Sequence, residues 1–271
     1  MKKIYAIHKY VVMLILLVTS ATMAQNGEPI TVPLSNPGAD GKLVVHIIDG
    51  SISVEGHNGN NVIVEGTGKG RKKKSKGNKG SLRNVSGNSL RFTVEENNNT
   101  VYVKSGAADG HVDFLIKVPK NFSVDLRTVN DGGIFVDNLN GTHEVSNLNG
   151  KINMTNVGGS VIADALNQNI TVQFARVFDD TAMMFTSLNG NIDVSFPSNL
   201  KANVAARSDN GDVYTDFELT ATTSGNRVSS KGKDGVYRVK QEKGITGLIN
   251  GGGIEITFKT LNGDVYIRSN N

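Results

Sequence analysis

The chain has 271 residues, a formal net charge of +4 and no cysteine. The lack of cysteine excludes disulfide bonds and thiolate metal sites, so backbone pairing and a hydrophobic core must hold the fold together. Three of the positive charges lie in the first 24 residues, which leaves +1 for the rest. Seven more lie between Lys69 and Lys79, and without those seven the remainder carries −6. Because the basicity is local, the overall charge does not indicate a nucleic-acid partner.

The N-terminus has the pattern of a secretory signal peptide. Three lysines within the first nine residues precede the apolar run 11–18, and Thr22 and Ala24 place small side chains before a cut at Gln25. The apolar run is far shorter than the roughly 20 residues that span a bilayer. No later segment is apolar for that length. We therefore expect residues 1–24 to be a signal peptide and the mature protein to lack a transmembrane segment. Export to the periplasm, outer surface or extracellular space follows.

Composition divides the remaining chain into three parts. Residues 25–40 hold three of the five prolines and predict an extended lead-in. Residues 41–118 predict an N-terminal β-strand segment that is interrupted by a solvated basic loop at 67–88. Residues 119–271 predict a β-repeat region, which we expect to continue from the preceding segment.

A short unit recurs along the β-repeat region, in which an apolar residue, Asn-Gly and an alternating apolar segment follow one another. Asn-Gly favours tight turns between strands because both residues tolerate positive φ. The clearest copies are Leu148-Asn149-Gly150-Lys151-Ile152-Asn153-Met154, Leu188-Asn189-Gly190-Asn191-Ile192-Asp193-Val194 and Leu261-Asn262-Gly263-Asp264-Val265-Tyr266-Ile267.

The unit repeats every nine residues in the middle of the chain. Gly132, Gly141, Gly150 and Gly159 are nine residues apart, with Gln168 in the next slot. Nine residues accommodate a strand of about five residues and a turn of about four. The apolar side chains alternate with polar ones after each glycine, so each strand is predicted to bury one face.

These units predict an all-β fold. An antiparallel meander and a parallel β-solenoid, or β-helix-like stack, both use short strands and tight turns. The recurring leucine before Asn-Gly favours the β-solenoid, since identical residues at one phase would stack into internal ladders. The closing strand at Val265–Ile267 suggests that the C-terminus lies on the last rung.

The segment Val118-Pro119-Lys120-Asn121-Phe122-Ser123-Val124 and the serial Leu-Asn-Gly-x-Ile-x-Val units resemble the putative-adhesin class of secreted bacterial β-strand-repeat domains. They are also similar to the head domains of putative autotransporter adhesins. The resemblance covers about residues 41–271 apart from the basic loop. It implies a β-helix-like domain of the bacterial cell envelope, and it supplies no catalytic motif.

No pattern of residues predicts catalysis, a cofactor or a metal. Calcium-binding nonapeptide repeats need a third glycine and an aspartate that do not follow Gly158-Gly159. The spacing of His46, His57, His111 and His143 matches no metal motif, although His143 occupies a slot where other units carry Ile or Val. Acidic residues at outward positions keep a polysaccharide-cleaving β-helix enzyme open as an alternative. These residues are Asp193, Asp212 and Asp264.

The basic run is the most distinctive candidate site. Its side chains could contact anionic envelope or host glycans, or they could be a solvated loop without a partner. They are Lys69, Arg71, Lys72, Lys73, Lys74, Lys76 and Lys79. We expect a non-catalytic, exported cell-envelope protein with a surface-binding, adhesin-like or structural role. A scaffold or signalling partner of another envelope protein is the second alternative.

Overall fold

The computed structural model describes residues 28–69, 92–105, 110–178, 181–223, 227–231, 237–241 and 244–270. These residues form twenty-two β-strands and no helix, so the all-β prediction is confirmed. The strands are β1 (Ile30–Pro33), β2 (Gly41–His46), β3 (Ile52–His57), β4 (Asn61–Lys69), β5 (Phe92–Asn97), β6 (Thr100–Ser105), β7 (His111–Pro119), β8 (Phe122–Thr128), β9 (Ile134–Asp137), β10 (Asn140–Asn147), β11 (Ile152–Ala165), β12 (Ile170–Val177), β13 (Met183–Ser187), β14 (Ile192–Pro197), β15 (Ala202–Ser208), β16 (Val213–Thr215), β17 (Leu219–Thr223), β18 (Arg227–Lys231), β19 (Tyr237–Gln241), β20 (Ile245–Ile249), β21 (Ile254–Thr260) and β22 (Val265–Asn270).

Two ladders of mainly parallel strands contain nearly all of these elements. Ladder 1 has the order β1–β4–β7–β3–β9–β11–β12–β14–β22–β16, and it is parallel from β7 onward. Ladder 2 has the order β5–β6–β2–β8–β10–β11–β13–β21–β15–β20–β17, and it is parallel from β6 to β15. Strand β11 belongs to both ladders, and its bend coincides with the positive φ of Asn156. The antiparallel pair β18–β19 lies outside both ladders.

The two ladders face one another across a single hydrophobic core. Alternate residues are buried in the central strands of both ladders, such as β14 and β15, as the period-two pattern predicts. Aromatic rings join the ladders directly, since Phe92 of ladder 2 meets Phe114 of ladder 1 at 5.1 Å between ring centroids. Phe196 and Phe258 do the same at 6.4 Å near the other end. Each fully buried side chain of this size contributes about 1.5–3 kcal/mol relative to its exposed state.

Buried polar side chains precede the Asn-Gly turns and bind the turn backbone. Asn147 donates to the carbonyl oxygen of Gly132 at 2.9 Å, and Thr260 donates to that of Gly190 at 3.0 Å. Thr128 and Ser208 bind the carbonyl oxygens of Gly50 and Gly263 in the same way. The turn carbonyls next to the core therefore have donors, which avoids the cost of burying them unpaired.

The asparagines of the turns form a ladder of their own. Along the order given below, each side-chain amide after the first donates to the amide oxygen of the asparagine before it, at 2.7–3.0 Å. In spatial order this ladder is Asn149, Asn167, Asn189, Asn262 and Asn210.

The leucines before Asn-Gly stack on neighbouring rungs, but they do not line the core as predicted. Leu148, Leu166, Leu188 and Leu261 remain 37–40 % exposed. The reason is the alternation itself, because the residue before each leucine points inward and the leucine therefore points outward. Before three of the leucines this residue is polar and bonds to a turn carbonyl oxygen, namely Asn147, Ser187 and Thr260. Leu139 is the exception, because it lies at the opposite corner and is fully buried.

Two pairs of strands, one near each end of the described chain, lie between strands from other parts of the sequence. Strands β2 and β3 lie between β6–β7 and β8–β9. Strands β21 and β22 lie between β13–β14 and β15–β16. The expectation that the closing strand occupies the last rung is therefore wrong. The hydrophobic pattern of β22 fits any rung equally well, and sequence distance does not determine which strands it joins.

Candidate functional site

The basic run lies almost entirely outside the described residues. Strand β4 continues through Lys69, three residues into the segment expected as a loop, and the backbone of Lys69 pairs with that of His111. The other six residues, Arg71, Lys72, Lys73, Lys74, Lys76 and Lys79, fall in the gap 70–91.

The four histidines after residue 24 occupy four separate environments. His46 contacts Asp125 at 2.9 Å, and His57 bonds to the carbonyl oxygen of Asn61. His143 points into the core and is completely buried, as its slot suggested. Across the ranges that the structure describes, no three acidic or histidine side chains are grouped to hold a metal ion.

His111 lies between two carboxylates at the start of β7. Its Nδ1 is 3.0 Å from Asp49 and its Nε2 is 3.0 Å from Asp113. Partial burial lowers the pKa of His111, but the hydrogen bond to Asp49 and the charge of Asp113 outweigh burial and raise it. Ser51 donates to Asp113 through its hydroxyl and its backbone N–H. These bonds fix the His111 ring beside the strand that leads into the basic run.

The outer face of ladder 1 carries a continuous row of side chains. The registers of seven strand pairs align eight outward residues, one from each neighbouring strand. They are Leu115, Ser53, Phe135, Asn153, Thr171, Asp193, Tyr266 and Tyr214. With about 4.8 Å between strands, the row extends over roughly 34 Å. A depression of about 270 Å³ opens on it beside Leu115 and Phe135.

At one end of this row, aromatic and charged groups form a compact cluster. The rings of Tyr214 and Tyr266 stack with centroids 5.1 Å apart and planes 12° from parallel. The guanidinium of Arg268 lies 4.9 Å from the centre of the Tyr266 ring and donates to both carboxylate oxygens of Asp193, at 2.7 and 3.0 Å. This hydrogen-bonded pairing with Asp193 raises the pKa of Arg268.

Carboxylates surround the two tyrosines. The Tyr266 hydroxyl donates to Asp264 at 3.0 Å, and this bond raises the pKa of Tyr266. The other oxygen of Asp264 accepts the backbone N–H of Asp212 at 2.9 Å. The charge of Asp212 raises the pKa of Tyr214.

The structure therefore brings together the three carboxylates selected from the sequence. Asp193, Asp264 and Asp212 lie on the neighbouring strand ends of β14, β22 and β16. Asp193 is bound through both oxygens and Asp264 accepts two hydrogen bonds, so these two position neighbouring groups. Asp212 is exposed. As a whole the cluster offers aromatic surface and hydrogen-bond acceptors, which suits binding of a polyhydroxylated ligand.

Sequence reasoning missed the tyrosine pair. Both tyrosines end the same pentapeptide, Asn-Gly-Asp-Val-Tyr, at residues 210–214 and 262–266. The repeated pentapeptide was the available signal, because neighbouring strands with the same sequence place their outward tyrosines side by side. Their separation of 52 positions in the sequence concealed that neighbourhood.

No protein-family model matches the chain, and a search of curated proteins finds no relative. Two solved structures are similar to it. One is a putative cell adhesion protein from Clostridium sporogenes, with 11 % identity and a TM-score of 0.37, covering 90 % of this chain and 99 % of that one. The other is a putative adhesin from Bacteroides fragilis, with 10 % identity and a TM-score of 0.36, covering 89 % of this chain and 96 % of that one. Both bear names of the class that the sequence resembles. At these identities and TM-scores the likeness assigns neither a fold nor a function.

Among the residues that the structure describes, none belongs to a helix of sufficient length and hydropathy to span a bilayer.

Proposed function

We propose that this chain is an exported, non-catalytic protein of the bacterial cell envelope that binds other molecules through an extended surface, in an adhesin-like role. The observation that carries the proposal is the outer face of ladder 1. There one unbroken row of eight outward side chains ends in a stacked tyrosine pair. An extended row of aromatic and hydrogen-bonding groups suits an extended ligand better than a small enclosed substrate.

A β-solenoid is the architecture that we propose for the two ladders. Hydrogen-bonded neighbours in the middle of the chain are 18 residues apart, as in Thr155 with Asp137 and Asn167 with Asn149. One coil would therefore contain two of the nine-residue units, with one strand in each ladder. The inserted pairs β2–β3 and β21–β22 would be coils contributed from the chain ends.

Export and the envelope location rest on the N-terminal pattern at residues 1–24. The mature protein would then act in the periplasm, at the outer surface or outside the cell. Its partners would be envelope or host glycans or another envelope protein. The basic run supplies a second contact for anionic polymers.

Binding to an array of bacterial and host glycans tests this function. The purified protein is compared with a variant that carries Lys72→Ser, Lys73→Ser, Lys74→Ser and Lys76→Ser, at low and high salt. Salt-sensitive binding that the variant loses assigns the contact to the basic run, whereas salt-resistant binding that it retains assigns the contact to another surface.

Two further results would change the proposal. Release of new reducing ends from a bound glycan would indicate the polysaccharide-cleaving enzyme instead. Absence of binding to every glycan would refute glycan recognition, and copurification of a stoichiometric envelope protein would then support the scaffold or signalling alternative.

A further inference from the structure

The tyrosine stack of ladder 1 ends at a strand with an open side. Among the described strands, β16 pairs only with β22. Tyr266 covers one face of the Tyr214 ring, and Tyr214 remains 49 % exposed. The far side of Tyr214 therefore presents an aromatic ring where the next rung would continue the stack.

Hydrogen-bonding groups flank this ring on the same strand end. Asp212 and Asp216 stand two residues before and two residues after Tyr214, and both are exposed. One Asp216 oxygen accepts the backbone N–H of Ser269 at 2.7 Å, which holds the carboxylate beside β22. An ionised carboxylate accepts hydrogen bonds and donates none, so the pair favours a ligand that carries hydroxyl or other donor groups.

The charge of the cluster limits the ligand further. Among the side chains that the structure describes in this cluster, four carboxylates, those of Asp193, Asp212, Asp216 and Asp264, surround one cation, Arg268, which is already paired with Asp193. The formal charge is −3, so a phosphate, sulfate or uronate group would be repelled. A sugar without acidic groups meets no such repulsion.

We infer that this end of ladder 1 is a binding site for the pyranose ring of a neutral glycan. The C–H groups of one sugar face pack on the electron-rich face of Tyr214, so that the sugar takes the position of the next rung. Its hydroxyl groups donate to Asp212 and Asp216. The inference rests on the proposed surface-binding function and names a ligand class and a site for it.

Calorimetric titration with soluble neutral polysaccharides tests the inference. The probes are mannan, a β-1,3-glucan and hydroxyethyl cellulose, with alginate as the acidic counterpart. Tyr214→Ala is expected to raise the Kd for the bound neutral polysaccharide about tenfold or more. Tyr214→Phe keeps the aromatic face and is expected to change the Kd less than about threefold.

A matched control exists on the other outer face. Ile162 and Met184 are neighbours on β11 and β13, and their side chains are 47 % and 46 % exposed. Ile162→Ala with Met184→Ala removes a similar exposed apolar pair and should leave the Kd unchanged. Because Tyr214→Ala also removes a contact that stabilises β16, thermal unfolding of every variant is measured. The phenylalanine variant separates ring stacking from loss of the strand.

The outcomes distinguish this inference from the broader function. Unchanged binding of a neutral polysaccharide by Tyr214→Ala overturns the inference. Binding of alginate alone, lost in the lysine variant, overturns it too but supports surface binding through the basic run. If the wild-type protein self-associates and Tyr214→Ala is monomeric, the open side of β16 binds a second copy of the chain instead of a glycan. Absence of binding to any of these polysaccharides overturns the inference, whereas surface binding of an envelope protein remains open to the copurification test.

Discussion

Replacement of the buried histidine of ladder 2 is a sharp test of the packing. His143 is completely buried in register with Val124 on β8 and Val161 on β11. Neither ring nitrogen has a hydrogen-bond partner among the described residues. Burial lowers the pKa of His143 to about 4, and nearby backbone groups of Gly158 and Leu139 oppose this only in part.

The sign of the pH dependence follows from linkage. The unfolded chain takes up a proton on this ring as the pH falls through about 6.5, whereas the folded protein takes it up only near pH 4. The free energy of unfolding is therefore unaffected by this group above pH 7.5 and decreases as the pH falls from about 6.5 to 4. Between pH 7.5 and 4.5 the loss is about 2–3 kcal/mol, at about 1.4 kcal/mol for each pKa unit.

His143→Val removes this loss and matches the valines on both neighbouring strands. Urea unfolding of wild type and variant at pH 7.5 and pH 4.5 gives four free energies of unfolding. The free energy of unfolding of the variant minus that of wild type should be about 2–3 kcal/mol larger at pH 4.5 than at pH 7.5. Comparing the two pH values cancels the pH-independent cost of a smaller side chain. Carboxylates that titrate in both proteins cancel as well. Equal pH dependence in wild type and variant would refute a neutral, buried His143.

Three further predictions concern the turns, the leucine row and His111. Gly150→Ala should lower the free energy of unfolding by about 1–3 kcal/mol or more, because the added Cβ would lie 1.8 Å from the carbonyl oxygen of Gly132. Gly244→Ala is the control and should cost less, because its Cβ would lie 3.2 Å from the nearest backbone oxygen. Leu188→Ser should cost under about 1 kcal/mol and Val194→Ser several times more in chemical unfolding, and equal costs would contradict the outward orientation of the leucine. His111→Asn should lower the Tm at pH 5.5, because the protonated His111 stabilises the folded protein there. The difference in Tm between variant and wild type should disappear as the pH rises through the raised pKa of His111.

Much of the fold follows from the alternation of side chains. Ile192, Val194 and Phe196 are buried in β14, as their spacing predicts. The nine-residue spacing also corresponds to a real unit, since Gly132 and Gly150 are at one corner while Gly141 and Gly159 are at the other. These features are local, and each depends on only one strand and its turn.

The neighbours of each strand do not follow from the sequence. Strand β22 separates β14 from β16, although β16 follows β14 by only sixteen residues in the chain. The pattern of β22 fits either side of β14, and tertiary packing decides between them. The candidate site depends on this choice, because Tyr214 and Tyr266 meet only when β22 lies beside β16.

The leucine row shows a second limit of pattern reading. Leu188 repeats at a fixed phase, which correctly indicates stacking, but repetition alone does not indicate burial. Burial is decided by Ser187, whose hydroxyl lies 3.5 Å from the carbonyl oxygen of Gln168 on the inner side of the turn. A polar residue before the leucine is not a sufficient signal, because Leu139 follows Asn138 and is nevertheless buried at the opposite corner.

Nuclear magnetic resonance of ring-¹³C-labelled tyrosine tests the central claim most directly. After residue 24 the chain has four tyrosines, Tyr102, Tyr214, Tyr237 and Tyr266, whose resonances can be assigned with single Tyr→Phe variants. Titration with a neutral polysaccharide that binds by calorimetry should shift the Tyr214 and Tyr266 resonances and leave that of Tyr102 in place. Binding of that polysaccharide without a shift at Tyr214 would contradict the account.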